Sequence, residues 1–118
     1  MFGFLKSQRL LSSSDYKNVF ENTALKSGSK EFLILAASNS VDSPRLGIIV
    51  AKKHVRLAHQ RNRCKRLFRE SFRLHQSQLP NLDFIILARP GINQSDNEAL
   101  FNRLDQQWGK LCQKAKQL

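Results

Sequence analysis

The sequence predicts an α+β fold, a two-layer sandwich in which helices pack on one small central sheet. Three observations carry this. Apolar residues recur at helical spacing in three segments, around residues 13–22, 56–79 and 96–115. Three short apolar runs rich in Ile, Leu and Val, residues 31–37, 45–51 and 83–88, have the length and composition of strands. Their order along the chain is α-β-β-α-β-α, with no repeat, low-complexity tract or internal linker. At 118 residues the chain is one domain, 1–118, long enough for a single core.

Residues 1–11 read as a flexible N-terminal arm carrying Lys6 and Arg9. Ser13 or Ser14 then offers a helix cap, with Asp15 in the first turn, where a carboxylate suits the helix dipole. Tyr16, Val19 and Phe20 share one face of this helix. Val19 reads as core. For Tyr16 and Phe20 two readings stand: core packing, or rings at the edge of a groove where unpaired bases stack. Residues 26–30, with Ser27, Gly28 and Ser29, read as a loop. The runs 31–37 and 45–51, joined by a turn at 38–44, read as an antiparallel hairpin, with Gly47 allowing close approach of another backbone. The run 83–88 is continuously apolar, as for a strand in the sheet centre. The sequence Ser95-Asp-Asn-Glu98 reads as a capping box opening the last helix. That helix carries Leu100, Phe101, Leu104, Trp108, Leu111, Cys112 and Ala115 as its apolar stripe.

The middle helix is where the charge lies. Residues 52–73 hold nine of the chain's 20 Lys and Arg residues (Lys52, Lys53, Arg56, Arg61, Arg63, Lys65, Arg66, Arg69 and Arg73) and one acid, Glu70. Most of the formal net charge of +11 is therefore in this stretch. On a helical wheel Leu57, Cys64, Leu67, Phe68, Ser71, Phe72 and His75 fall on one side. Arg61, Asn62, Lys65, Arg66, Arg69 and Arg73 fall on the other. Arg61, Lys65, Arg69 and Arg73 repeat every four residues, and each such like-charged pair weakens an isolated helix by about 0.2–0.5 kcal/mol. Glu70 is the one acid near enough to relieve Arg66. Such a face calls for an anionic partner, and nucleic-acid phosphate fits best, because guanidinium forks match phosphate oxygens and counterion release favours binding. A merely solvated basic helix is the plain alternative. A membrane-surface helix would need the apolar face exposed, and the core requires it.

Little in the chain suggests a protein active site. The nine acids are scattered, and the nearest pair, Asp96 and Glu98, suits helix capping. His54 and His59 have zinc-like spacing but no paired cysteines. Cys64 lies on the packing face of its helix, so a nucleophile paired with His59 does not follow. Cys64 and Cys112 read as buried thiols of a reducing compartment. There is no secretory signal and no apolar run of membrane-spanning length, which gives a cytoplasmic reading with no membrane partner.

The sequence resembles the bacterial ribonuclease P protein subunit, and most of all its gammaproteobacterial branch. Arg61-Asn62-Arg63, continued by Lys65-Arg66 and Arg69-Glu70, matches the RNR motif. Around it stand Ala51-Lys52-Lys53, Arg45-Leu-Gly47, the run 83–88 and Asp15-Tyr-x-x-Val-Phe20. The resemblance implies an endoribonuclease whose catalytic groups belong to an RNA subunit. That RNA would remove the 5′ leader of precursor tRNA with Mg²⁺ held mainly by the RNA, and none bound by the protein alone. It implies RNA-subunit contacts at Arg61, Asn62, Arg63, Lys65, Arg66 and Arg69. Leader contacts would fall on Tyr16, Phe20, Lys52, Lys53 and Arg89, in a cleft between sheet and first helix, with Arg9 as a basic residue of the arm. It implies a monomeric protein, one per RNA, and a left-handed β-α-β crossover, where the general rule would draw a right-handed one. Two positions depart from the family pattern. Leu35 stands where many relatives place a cleft Tyr, and Pro90 follows Arg89 where a second basic residue is common. The rival classes are an rRNA-binding structural protein, a DNA-binding regulator and a protein-only nuclease.

Overall fold

A computed structural model describes residues 9–10, 12–39, 41 and 43–117. The arm and turn residues at 1–8, 11, 40 and 42 lie outside that range, Lys6 among them. The described elements are α1 (Ser13–Glu21), β1 (Leu25–Gly28), β2 (Phe32–Ser38), β3 (Arg45–Ile49), α2 (Ala58–His75), β4 (Leu82–Ala88), a 3₁₀ turn (Ile92–Gln94) and α3 (Asn97–Ala115). The four strands form one sheet in the order β1-β2-β4-β3.

The α+β reading holds, with two corrections. The segment taken as a loop contains β1, paired antiparallel with β2 from Leu25 opposite Ala36 to Gly28 opposite Leu33. Its four residues are too few for a periodic signal. Leu25 and Ser27 face inward, and the Ser27 hydroxyl bonds the Gln107 side chain of α3. The second correction is the hairpin. β2 and β3 do not pair, because β4 lies between them, antiparallel to β2 and parallel to β3. Chain proximity favoured the hairpin, but β4 is the most buried strand and sits centrally, where both its faces are covered. The β3–α2–β4 segment is therefore a crossover joining parallel neighbours.

Each sheet face has its own core. On one, Phe32, Ile34, Ala36, Leu46, Phe84 and Ile86 meet Cys64, Leu67, Phe68 and Phe72 of α2 and Leu100, Leu104, Trp108 and Leu111 of α3. The Trp108 indole lies edge-on to Phe72 and Phe84, and its N–H donates to the Ser71 hydroxyl at 2.9 Å. That bond explains a buried serine in the apolar stripe of α2. On the opposite face α1 places Val19 over Leu35, Ala37 and Ile85.

Helix ends differ in detail from the sequence reading. Ser12, not Ser13 or Ser14, caps α1 and forms a capping box with Asp15. Asp96 caps α3, accepting from the Ala99 N–H at 2.8 Å. Ser95 is drawn elsewhere, as described below. Leu57 precedes α2 as an extended residue and is 52% exposed, so it leaves the packing face that the wheel gave it. Arg9 and Leu10 are not loose. They bridge to Leu46 on the outer edge of β3, where the Leu10 N–H donates to the Leu46 carbonyl at 3.0 Å. An open sheet edge is covered in this way.

Candidate RNA interface

The basic face of α2 divides into three kinds of side chain. Asn62 and Arg66 are exposed and turned outward. Arg61 and Arg63 are half-buried and held by the protein's own groups. Arg61 Nη1 donates to the carbonyls of Val55 at 3.0 Å and Arg56 at 2.8 Å, which fixes the turn carrying Lys52 and Lys53. Arg63 reaches the start of α3, donating from Nε to Asn97 Oδ1 at 2.7 Å and from Nη2 to the Ser95 carbonyl at 2.6 Å. Each guanidinium has five N–H donors, so further donors remain for a ligand.

Lys65 and Arg69 form the third kind. They line a notch of about 190 Å³ at the edge of β3, together with Arg9, Leu10, Tyr16, Leu46 and Ile48. Glu70 does not relieve Arg66. It pairs with Arg73 one turn on, and the Arg73 hydrogen bond holds the Glu70 carboxyl below its usual range. Arg73 therefore drops out of the repulsive row, leaving Arg61, Lys65 and Arg69.

The residues placed in the leader cleft lie around the face covered by α1. Tyr16 crosses the edge strand, and its hydroxyl accepts the outward N–H of Ile48 at 3.2 Å. Its ring lies against Gly47, so what approaches that glycine is a side chain and not the backbone expected from sequence. Phe20 is 46% exposed. Lys52 and Lys53 are exposed in the turn after β3, beside Arg56 and Leu57. Arg89 is exposed just past β4, with its Nη1 on the Ser29 carbonyl at 2.8 Å. Because β3 and β4 run parallel, with Ile49 opposite Leu87, all three basic residues leave the same end of the sheet.

The structure joins two sets that the sequence kept apart. Tyr16, from the expected leader cleft, shares a notch with Lys65 and Arg69, from the expected RNA-subunit face. Arg63 lies apart, on the α3 side. Leu35 is buried beneath α1. Sequence reasoning missed an apolar patch beside α1. Leu33, Leu87 and Ile49 lie in register across β2, β4 and β3 on the α1 face, only partly buried. Strand alternation contained that signal once the pairing was known. Cys64 is fully buried, and burial pushes its thiol up, which removes it as a nucleophile. Among the described residues no helix is long and apolar enough to cross a membrane, and no three His, Cys, Asp or Glu residues converge as metal ligands.

The family model described as Ribonuclease P matches residues 4–112. The chain belongs to the ribonuclease P protein family.

Its similarity to curated members of that family is extensive. It is 45% identical over 112 residues to the ribonuclease P protein component of Pectobacterium atrosepticum, covering 95% of this chain and 93% of that protein. With the component from Histophilus somni it shares 49% identity over 106 residues, 90% of this chain and 88% of the relative. Among solved structures, the RNase P protein of Staphylococcus aureus superposes with a TM-score of 0.80 at 28% identity, covering 86% of this chain and 93% of that one. The RNase P protein of Thermotoga maritima gives 0.75 at 26% identity, covering 86% and 96%. The protein is thus an RNA-binding component of ribonuclease P that acts in tRNA processing, as the resemblance of its RNR segment implied.

Proposed function

We propose that this protein docks on a catalytic ribonuclease P RNA through α2 and grips the 5′ leader of precursor tRNA in the cleft beside α1. The RNA subunit then carries the hydrolytic chemistry. Asn62 and Arg66 make the outward contacts to the RNA subunit. Arg61 and Arg63 stiffen the flanking turns and offer their remaining donors, while Lys65 and Arg69 neutralise phosphates at the notch. Phe20 and Tyr16 supply ring surface, worth about 1–3 kcal/mol for each base stacked. Lys52, Lys53 and Arg89 track the leader backbone along one end of the sheet. Mg²⁺ is held mainly by the RNA, and the protein's part is to lower the repulsion between the phosphates that gather around it. One monomer serves each RNA, in the cytoplasm.

The observation that carries this reading is the notch where Tyr16 meets Lys65 and Arg69. It makes one continuous surface from the RNR helix to the cleft, as a protein bridging two RNAs requires. The deciding assay is cleavage of 5′-labelled precursor tRNA at low Mg²⁺ by the protein, a bacterial ribonuclease P RNA, or both. Activity in the mixture alone, with the leader released intact, supports the bridging role. Cleavage by protein alone would place the catalytic groups in the protein. A competent RNA left unstimulated would favour a structural rRNA-binding role.

A further inference from the structure

Among the described residues the one buried acid outside the Arg45–Asp83 pair is Glu31, which lies at the turn between β1 and β2 and is 2% exposed. Three donors converge on its carboxylate. The Ser29 hydroxyl donates to Oε1 at 2.8 Å, the Ser95 hydroxyl to Oε2 at 3.0 Å, and Arg103 Nη1 also bonds Oε2. A carboxylate buried with this many donors is held ionised and fixed in place.

What sets Glu31 apart from an ordinary internal ion pair is where its partners lead. The Ser95 carbonyl accepts from Arg63 Nη2. The Ser29 carbonyl accepts from Arg89 Nη1, and the carbonyl of Glu31 itself accepts from the Arg89 backbone N–H at 2.9 Å. Two basic side chains, one on α2 and one past β4, are thus anchored to backbone segments that meet at a single carboxylate.

We propose that Glu31 is a positioning residue that holds Arg63 and Arg89 in one rigid frame, so that the RNA-subunit contact and the leader contact keep a fixed relation. This rests on the proposed roles of those two arginines. Glu31 touches neither RNA. It acts through Ser95 and Ser29. Without its charge Glu31 holds Arg103 and Ser95 less tightly, the start of α3 loosens, and Arg63 loses its register.

The test uses Glu31→Gln, which keeps the shape and removes the charge, and Ser95→Ala, which removes only the hydroxyl link and leaves the carbonyl that Arg63 uses. The first readout is NMR proton exchange in the protein alone, at Arg63 Nε–H and the Arg89 backbone amide. Both protons should exchange several-fold faster in Glu31→Gln, and the Arg63 proton also in Ser95→Ala, while far-ultraviolet circular dichroism stays that of the folded chain. The second readout is affinity for ribonuclease P RNA. Glu31→Gln should weaken it about fivefold in the wild-type background and leave it unchanged in an Arg63→Ala background, since coupled residues are non-additive. Unchanged exchange in folded variants overturns the proposal. So does an equal affinity loss in both backgrounds, which would make Glu31 a general stabiliser. If Arg63→Ala alone binds RNA like wild type, the docking role of Arg63 falls instead, and the exchange measurement still decides whether Glu31 positions it.

Discussion

Gly47→Ala tests how tightly Tyr16 packs on the edge strand β3. Gly47 has no positive φ, so alanine is conformationally allowed, and any cost must be steric. A Cβ there would sit 2.8 Å from the Tyr16 Cζ and 2.9 Å from its hydroxyl oxygen. Ordinary carbon contacts are about 3.5–4.0 Å, so the ring must retreat or the strand must bow. Overpacking of this kind costs about 1–3 kcal/mol. If the ring leaves, the Ile48 N–H loses the hydroxyl that satisfies it, a further cost of about 1 kcal/mol. Against this, replacing glycine restricts the unfolded chain and returns about 0.4–1 kcal/mol. The net loss should be about 1–3 kcal/mol. With a urea m-value of about 1–3 kcal/mol/M, the unfolding midpoint should fall by about 1 M with m unchanged. Precursor tRNA affinity should fall as well, because Tyr16 is displaced from the notch it shares with Lys65 and Arg69. In a Tyr16→Leu background the same substitution should cost much less, since the obstructing ring is gone. A Gly47→Ala protein as stable as wild type, or an equal loss in both backgrounds, would refute the account of Tyr16 as packed tightly on Gly47.

Other outcomes follow from the same structure. Asp83 is buried and receives Arg45 Nε at 2.8 Å, Arg45 Nη2 at 2.7 Å and Asn39 Nδ2 at 2.9 Å. Arg45→Met should lose about 3–5 kcal/mol in urea unfolding, because a buried carboxylate is left without its cation, and adding Asp83→Leu should recover most of it. Phe20→Ala should change stability by no more than about 0.5 kcal/mol, the ring being half exposed. It should still weaken precursor binding by about 1–3 kcal/mol, leaving RNA-subunit affinity intact. Arg66→Ala should lower RNA-subunit affinity and reduce the salt slope by about 1 without altering the thermal midpoint. Arg61→Ala should also lower that midpoint, since Arg61 holds the turn at Val55 and Arg56. Burial pushes the Glu31 carboxyl up, but the Ser29 and Ser95 hydroxyls and the Arg103 charge more than reverse this and hold it below the usual range. A folded-state pKa below the unfolded one means stability that is present above the unfolded value and lost as pH falls through the folded one. The stability gap between wild type and Glu31→Gln, measured by urea unfolding from pH 7 downward, should therefore close at the acid end.

Much of the interface was visible in the basic stretch because a helix's faces follow from spacing alone. Asn62 and Arg66 point outward, and Cys64, Leu67, Phe68 and Phe72 point inward, where the wheel put them. Leu57 escaped because the helix begins one residue later, at Ala58. The state of Arg61 and Arg63 was not visible. Their partners at Val55, Arg56, Ser95 and Asn97 are backbone carbonyls and a side-chain amide, which leave no pattern in composition. Glu31 reads in sequence as one acid at the edge of a strand. Only folding brings Ser95 and Arg103 to it, from 64 and 72 residues away.

The sequence by itself determined the helices, three of the four strands, the apolar faces that bury them, the charged face of α2 and, through the RNR segment, the family. These are local properties, set by residue type and by periods of about 3.6 and 2.0. Tertiary structure alone decided that β4 inserts between β2 and β3, that four residues at Leu25–Gly28 become an edge strand, and that Tyr16 closes over Gly47 beside Lys65 and Arg69. Strand order depends on which surfaces bury best once all are present. Long side chains then find their partners across that surface and not along the chain.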